Sequence, residues 1–466
     1  MTVKMNPDSK RGAPAPPTRT ADLAARDLRV VWHPCTQMKD HESLPPIAIR
    51  RGAGPWLEDF DGKRYLDAVS SWWVNLFGHA NPAIGAAVQD QLATLEHVIF
   101  AGLTHEPAVL LAERLVSMAP PGLTRCFFAD NGSAAVEVAL KMSFHYWANR
   151  GEPKKQRFIA LENGYHGETL GALAVGNVDL YKSLYEPLLM DVIMAPSPDC
   201  YHREAGEPWE QYSLRQFEAM ERLLEMHAHE VAAVIVEPLV QCAGGMRMYH
   251  PVYLTRLREA CSRHRVHLIA DEIAVGFGRT GTMFACEQAN ISPDFLCLSK
   301  GLTGGFLPLS VVLTNEEVYA AFYGEYTALT AFLHSHSYTG NPLACRAALA
   351  TLDIFAADDT LRRNLAKAEY LGRRARQLQL HPHVMEVRQC GMIVAAELVK
   401  NKGARTAYPW QERRGLTIYR HALARGVLLR PIGNVVYFMP PYVVDAGEMD
   451  LMVDVAAEGI ELATCG

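Results

Sequence analysis

Six short apolar stretches in the middle of the chain predict buried β-strands. They are rich in β-branched and aromatic residues, and their apolar positions run on without alternating with polar ones. This pattern is typical of strands that are covered on both faces of a mostly parallel sheet. The stretches are RCFFAD (125–130), RFIALE (157–162), AAVIVE (232–237), VHLIAD (266–271), FLCLSK (295–300) and LSVVLT (309–314).

Longer amphipathic stretches separate these strands and predict helices. In segment 133–150, Val136, Leu140 and Trp147 recur at helical spacing, and segments 213–230 and 251–265 follow the same pattern. Strands that alternate with helices form βαβ units. The middle of the chain is therefore expected to be a large α/β domain, which we place at residues 81–345.

The pattern changes towards both ends of the chain. Helical segments followed by alternating strands predict a smaller α+β domain over residues 346–466. Residues 55–68 predict a hairpin around an Asp-Gly turn, and we expect segment 21–80 to join the small domain. Residues 1–20 have neither an apolar run nor an amphipathic period, which is typical of a disordered tail.

Composition and charge argue against several classes of protein. The chain has 466 residues, enough for about two or three domains, and its net charge of −6 does not favour nucleic acid or an anionic membrane. No stretch reaches the ~18 consecutive apolar residues of a membrane span. The ten cysteines include no C-x-x-C pair, which indicates reduced thiols in a cytosolic protein. His334 and His336 lack a neighbouring acid or cysteine to complete a metal site, so no metal is expected.

Two chemically active residues follow neighbouring strand patterns. Asp271 ends VHLIAD and Lys300 ends FLCLSK. Because ligands of open parallel sheets bind at the carboxyl ends of strands, both side chains are expected to face one crevice. Three interpretations remain open on these residues alone: a structural ion pair, a lysine that holds a phosphate, or a lysine that forms a Schiff base with a carbonyl.

Neighbouring motifs favour the third interpretation. In DNGSAAVE (130–137), Gly132 allows close backbone approach, and we expect Ser133 to cap a helix whose N-terminus attracts an anion. Tyr165, in NGYHGETLGA, offers an aromatic platform. Pyridoxal 5′-phosphate has an aldehyde, a phosphate and a basic ring nitrogen, so it would satisfy these groups together. A carboxylate about 3 Å from the protonated nitrogen contributes roughly 5 kcal/mol at an effective dielectric constant of ~20.

The motifs IADEIAVGFGRTG (269–281) and LSKGLTGG (298–305) resemble those of the class III aminotransferases, pyridoxal-phosphate enzymes of fold type I. That fold has a mostly parallel, seven-stranded type of sheet in a large domain, with a smaller α+β domain. The wider set of motifs over about 30–445, including SSWWVNLFGHANP (70–82) and RPIGNVVYFMPPY (430–442), is similar to the branch that aminates 8-amino-7-oxononanoate in biotin synthesis.

The resemblance implies roles for residues at the matching positions. Lys300 would be the Schiff-base lysine, Asp271 would pair with the ring nitrogen, and Tyr165 would stack on the ring. Gly132 and Ser133 would hold the phosphate. A homodimer is implied as well, because Ser337 would reach the phosphate site of the other subunit. The remaining implied contacts are Glu237 near the cofactor and, around the substrate, Cys35, Trp72, Trp73, Gly340, Arg430 and Tyr437.

One departure from the family pattern leaves the amino donor open. Cys35 in WHPCTQM occupies a position that is usually aromatic, and that position lines the donor pocket. S-adenosylmethionine is the expected donor, and lysine is the alternative. Another ω-aminotransferase, acting on a polyamine, ornithine or β-alanine, is a second hypothesis. A binding protein that kept the fold without catalysis is a third.

Overall fold

The computed structural model describes residues 18–465. Residues 1–17, most of the expected disordered tail, lie outside the described residues. Arg19–Asp27 form a helix whose N-cap is Thr18, with its hydroxyl accepting a hydrogen bond from the backbone N–H of Ala21 (3.3 Å). Helical structure therefore begins within the last residues assigned to that tail.

Helices and strands alternate along most of the described chain. The helices are α1 (Arg19–Asp27), α2 (Ser70–Trp73), α3 (Pro82–Leu92), α4 (Glu106–Met118), α5 (Gly132–Asn149), α6 (Leu170–Val175), α7 (Asp179–Lys182), α8 (Trp209–His227), α9 (Val252–His264), α10 (Glu316–Ala320), α11 (Pro342–Ala357), α12 (Thr360–Ala375), α13 (Arg414–Ala424) and α14 (Ala446–Thr464). The strands are β1 (Ile49–Ala53), β2 (Trp56–Asp59), β3 (Arg64–Asp67), β4 (Leu123–Ala129), β5 (Arg157–Leu161), β6 (Ile193–Ala195), β7 (Val231–Val236), β8 (Val240–Gln241), β9 (Arg247–Met248), β10 (His267–Asp271), β11 (Phe295–Leu298), β12 (Ser310–Asn315), β13 (Val384–Cys390), β14 (Ile393–Leu398), β15 (Val427–Leu428) and β16 (Val435–Phe438).

A seven-stranded sheet forms the centre of the molecule, in the order β4-β12-β11-β10-β7-β5-β6. Strand β12 runs antiparallel to both of its neighbours, and the other pairings in this sheet are parallel. The predicted mostly parallel α/β sheet is confirmed, with all six predicted strands present. Strand β6 was missed because three residues are too few to show a pattern.

Apolar side chains cover both faces of this sheet. On one face, Ile235 and Ile269 pack with Val136 of α5. On the other face, Val234 and Leu268 belong to a second buried cluster, which includes residues of α8 and α9. Burial of each such side chain stabilises the fold by about 1.5–3 kcal/mol. The central strands therefore form a rigid frame, and their carboxyl ends are well-defined positions for functional side chains.

The N-terminal strands pair with a strand from the C-terminal part of the chain. The hairpin β2–β3 belongs to a sheet of order β1-β2-β3-β15, in which Leu66 is opposite Val427. Leu66 is buried in one cluster with residues of α12, α13 and α14. The expected boundary at residue 345 falls inside α11, whose buried face packs into the large core; the domain limits stay a prediction. No helix within residues 18–465 is both long and apolar enough to cross a membrane.

Candidate active site

Asp271 and Lys300 line the same cavity at the carboxyl ends of adjacent strands. Strands β10 and β11 are parallel, and Asp271 is in register with Cys297, three residues before Lys300. The cavity has a volume of about 290 Å³. Its lining residues are Trp73, Asn131, Gly132, Ser133, Tyr165, His166, Gly167, Glu237, Asp271, Ile273, Ala274 and Lys300.

The Asp271 carboxylate is buried and held in one orientation. Its Oδ2 lies 2.7 Å from Nδ1 of the buried His166, and its Oδ1 accepts a hydrogen bond from the backbone N–H of Ile273 (3.1 Å). The neighbouring acid, Glu272, has a different environment. It accepts hydrogen bonds from the backbone N–H groups of Ala285 (2.6 Å) and Cys286 (2.8 Å), away from the cavity lining. Of the two consecutive acids, only Asp271 is available to a ligand.

Lys300 is an amine whose charged form is disfavoured. Burial lowers its pKa, although Cys242, Asp271 and Glu237 act in the opposite direction. Its Nζ lies 4.7 Å from the centroid of the Trp73 ring. The backbone of Lys300 has a φ of +44°, which is uncommon for a residue with a side chain. A lowered pKa increases the fraction of neutral amine, the form that acts as a nucleophile or a base.

Glu237 connects the sheet to the loop that carries Tyr165. It follows β7, is buried, and accepts hydrogen bonds from the backbone N–H groups of Tyr165 (2.9 Å) and Cys242 (3.0 Å). Burial raises the pKa of Glu237 to about 7; His166 opposes this shift and Asp271 adds to it. The hydrogen bond from the Tyr165 N–H ties its loop to the end of β7, next to the cavity that Tyr165 lines.

The N-terminus of α5 forms a concave wall of the cavity. Asn131 is the N-cap, since its side chain accepts a hydrogen bond from the N–H of Ala134 (3.0 Å), and the expectation that Ser133 caps this helix is wrong. A Cβ on Gly132 would lie 3.0 Å from the Ile273 side chain, and a Cβ on Gly167 would lie 2.1 Å from the Ser133 hydroxyl oxygen. This close backbone approach, together with the helix dipole, suits an anion such as phosphate.

The double tryptophan lies in a left-handed turn. Ser70, Ser71, Trp72 and Trp73 have φ angles of 51°, 46°, 72° and 73°. For residues with a Cβ, this conformation costs about 1–2 kcal/mol per residue. Its effect is to send consecutive rings in different directions. Trp73 is 3% exposed and faces Lys300, whereas Trp72 is 42% exposed and carries the Arg430 guanidinium 5.1 Å from its ring centroid.

Cys35 lies beside the acid that precedes α6. Its thiol is 3.6 Å from Glu168 Oε1, and the Tyr165 hydroxyl donates to the same oxygen (3.1 Å). Burial raises the pKa of Cys35, with Glu168 adding to the shift and Arg430 opposing it. Cys35, Glu168 and Arg430 therefore lie close together next to Tyr165, although they are far apart in the chain.

The structure places the remaining predicted site residues outside the cavity lining. Tyr437 is buried, and its hydroxyl accepts a hydrogen bond from Trp73 Nε1 (3.1 Å), so it supports a lining residue without lining the cavity itself. Ser337 is exposed. Gly340 is buried, and its carbonyl lies 2.7 Å from His105 Nε2. Neither Ser337 nor Gly340 contributes to this cavity within one chain.

Sequence reasoning assigned no role to three residues at or beside the site. His166 contacts Asp271, and Asn131 caps the helix; an asparagine directly before Gly-Ser is a recognisable cap signal. Arg279, in the GFGRTG motif, is buried and donates hydrogen bonds to the carbonyls of Pro440 (2.7 Å), Asn75 (3.1 Å) and Trp73 (3.3 Å). The sequence signal for Arg279 was a charged residue inside an apolar and glycine-rich motif, which indicates a buried cation with specific partners.

These groups fit pyridoxal phosphate. A buried, oriented carboxylate suits a protonated ring nitrogen, a lysine with a lowered pKa suits an aldehyde, and the glycine-lined N-terminus of α5 suits a phosphate. The described residues contain no cluster of three His, Cys, Asp or Glu side chains that could hold a metal ion.

Comparison with known proteins agrees with this geometry. A protein from Geobacter sulfurreducens named adenosylmethionine-8-amino-7-oxononanoate aminotransferase is 45% identical over 448 residues, 96% of this chain and 99% of that protein. A crystal structure of the Methanocaldococcus jannaschii protein of the same name has a TM-score of 0.89 and 38% identity, covering 94% of this chain and 98% of that one. An omega transaminase from Pseudomonas jessenii, solved in complex with PMP, has a TM-score of 0.90 and 30% identity over 95% of this chain and 98% of that one. The family model described as "Aminotransferase class-III" matches residues 37–459, and the chain belongs to this family.

Proposed function

We propose that this chain is a pyridoxal-phosphate aminotransferase that converts 8-amino-7-oxononanoate into 7,8-diaminononanoate, with S-adenosylmethionine as the amino donor. The observation that carries the proposal is that Asp271 and Lys300 line one cavity, which also includes the N-terminus of α5. The names of the relatives with 44–45% identity support the substrate.

Lys300 has two tasks in this proposal. When bound, the cofactor supplies an aldehyde that takes up the amino group and a ring that accepts electrons from the breaking C–H bond. Lys300 would hold that aldehyde in the resting enzyme, and its free Nζ would move the proton to and from the donor carbon. Because this step needs a neutral amine, the lowered pKa of Lys300 favours it.

Asp271 and the α5 N-terminus have positioning and electrostatic tasks. The Asp271 carboxylate would favour the protonated form of the ring nitrogen, which a neutral amide would not do. Gly132 and Ser133, at the N-terminus of α5, would hold the phosphate with the help of the helix dipole. Tyr165 would pack on the ring, and Glu237 holds Tyr165 in place by accepting a hydrogen bond from its backbone N–H.

The substrate is expected to lie between the cavity and the Arg430 guanidinium. Arginine offers a carboxylate two parallel hydrogen bonds, and the rings of Trp72 and Trp73 suit an aliphatic chain. In the proposed homodimer, the partner subunit's Ser337 would complete the phosphate site. Sedimentation equilibrium should give twice the chain mass of 51.6 kDa.

A half-reaction tests the substrate. The purified enzyme is loaded with cofactor, converted to its amine form by a donor, and separated from that donor. Adding 8-amino-7-oxononanoate should restore the original visible absorbance and produce 7,8-diaminononanoate. If a general keto acid restores the absorbance and 8-amino-7-oxononanoate does not, the enzyme is a different ω-aminotransferase.

Lysine is the second candidate donor, and the contact between Cys35 and Glu168 favours testing it. A small thiol leaves room at a position where the family pattern has an aromatic side chain, and the Glu168 carboxylate beside it would suit either cationic donor. A panel of S-adenosylmethionine, lysine and ornithine, read by the rate of absorbance loss, identifies the donor. S-adenosylmethionine should react fastest, and a faster reaction with lysine would replace it.

A further inference from the structure

The left-handed turn of the two tryptophans closes over a buried acid. Asp67 ends β3, and it is fully buried. Its Oδ2 accepts a hydrogen bond from the Ser71 hydroxyl (2.7 Å) and lies 3.0 Å from His79 Nε2, while its Oδ1 accepts one from the backbone N–H of Val69 (3.3 Å). Three groups before, within and after the turn therefore meet at one carboxylate.

The turn needs such external contacts because its own residues do not favour it. None of Ser70, Ser71, Trp72 and Trp73 is a glycine, yet all four are left-handed. Strained backbone of this kind persists only where the surroundings hold it. Further anchors are the Ser70 hydroxyl, which donates to the Met439 carbonyl (2.8 Å), and Trp73 Nε1, which donates to the Tyr437 hydroxyl (3.1 Å). Arg279 also donates to the Trp73 carbonyl.

The handedness of the turn decides where the rings lie. Trp73 lines the cavity beside Lys300, whereas Trp72 lies on the outside against Arg430. If residues 70–73 relaxed to a right-handed conformation, the two rings could not keep both contacts. The wall of the cavity and the platform under Arg430 would be lost together.

We propose that Asp67 is a positioning residue: through Ser71 it holds the left-handed turn that sets Trp73 against Lys300 and Trp72 under Arg430. This deepens the proposed function and rests on it, because those two rings are the expected walls for the keto substrate. Asp67 itself does not line the cavity, so it acts through the turn.

Kinetics with three variants tests the proposal. Ser71 is exposed, so Ser71→Ala removes the hydroxyl contact without opening the core. We expect at least a fivefold rise in KM for 8-amino-7-oxononanoate, larger than any accompanying fall in kcat. Asp67→Asn should change KM in the same direction. Ser71→Gly should give a KM closer to wild type than Ser71→Ala, because glycine adopts the left-handed conformation without a steric cost. The matched control is Ser117→Ala on the exposed face of α4.

A merely structural role would give a different result. Partial loss of folded enzyme lowers the apparent kcat and leaves KM unchanged, because the molecules that remain folded keep the native site. Unchanged KM in both Ser71→Ala and Asp67→Asn would overturn the proposal, as would a Ser71→Gly variant with the same KM as Ser71→Ala.

Hydrogen exchange provides a readout that does not depend on the substrate. The backbone N–H groups of Trp73, Val74 and Asn75 donate to the carbonyls of Val69 and Ser70. Their exchange should be at least tenfold faster in Ser71→Ala, with peptides of β10 unchanged. Exchange at the wild-type rate in Ser71→Ala and Asp67→Asn would overturn the proposal even if wild-type enzyme were to use a different keto acid. A wild-type enzyme inactive on 8-amino-7-oxononanoate refutes only the proposed function, and KM is then measured with the acceptor that it does use.

Discussion

His166 Nδ1 lies 2.7 Å from Asp271 Oδ2, and both side chains are buried. With the second oxygen held by the backbone N–H of Ile273, the carboxylate has a fixed orientation before any ligand binds. A group that must keep a cofactor nitrogen protonated benefits from such preorganisation, since no reorientation is needed during the reaction.

Replacing Asp271 by asparagine should lower kcat at least 100-fold. The amide removes the charge that favours a protonated ring nitrogen, a contribution of roughly 5 kcal/mol before desolvation is counted. Steady-state kinetics with saturating cofactor measures the effect. Asp353→Asn, at an exposed ion pair with Arg114, serves as the control. A variant that kept more than about a tenth of wild-type kcat would contradict the role of Asp271.

Replacing Arg430 by alanine should raise KM for the keto acid by about 10- to 100-fold, since a hydrogen bond to a charged group contributes about 1.5–3 kcal/mol. The KM for the donor should change much less. Separate half-reaction titrations measure the two values. Arg425→Ala is the control, because Arg425 is exposed and paired with Glu458. Equal changes in both KM values would count against the assigned contact.

The stability of the apo protein should depend on Glu237 in a defined pH window. Its pKa is about 7 in the folded protein and about 4.3 in an unfolded chain, so the folded state binds the extra proton between these values. The contribution of Glu237 is therefore most favourable below pH 4.3 and is lost as the pH rises through 7.

Urea unfolding of wild type and Glu237→Gln, at pH values from 5 to 8, measures this contribution. The stability of wild type relative to the variant should fall by about 2.5 kcal/mol as the pH rises from 5 to 8. Glu225→Gln, on the exposed face of α8, should show no such trend. A difference that stays constant from pH 5 to 8 would show that Glu237 does not hold the proton.

Replacing Gly167 by alanine should weaken cofactor binding at least tenfold. The added Cβ would lie 2.1 Å from the Ser133 hydroxyl oxygen, and φ at Gly167 is +127°, which residues with a Cβ rarely adopt. Titration of apo protein with pyridoxal phosphate measures the dissociation constant. Gly85→Ala in α3, where a Cβ meets nothing within 4 Å, is the control. Unaltered affinity in Gly167→Ala would place the phosphate elsewhere.

The sequence predicted the central sheet, with Asp271 and Lys300 at its strand ends, better than it predicted the side chains that surround them. Buried strands are recognisable from continuous apolar runs. The sequence therefore predicted that Asp271 and Lys300 follow strand ends and face one crevice. Their meeting follows from the parallel order of neighbouring strands, which is a general rule of the fold class.

The walls depend on tertiary contacts that no local pattern records. SSWW contains no glycine, so nothing in it indicates a left-handed turn or the separation of Trp72 from Trp73. Cys35, Glu168 and Arg430 come from three distant segments, and only the folded chain shows that they are neighbours. Tyr437 was expected at the cavity surface, but its hydroxyl is used to hold Trp73 from behind.

Borohydride reduction followed by peptide mass analysis tests the central claim most directly. Reduction of the cofactor-loaded enzyme should fix the cofactor mass on the peptide that contains Lys300, and Lys300→Ala should bind the cofactor only noncovalently and have no turnover. Covalent cofactor on a different lysine of the wild-type enzyme would contradict the account.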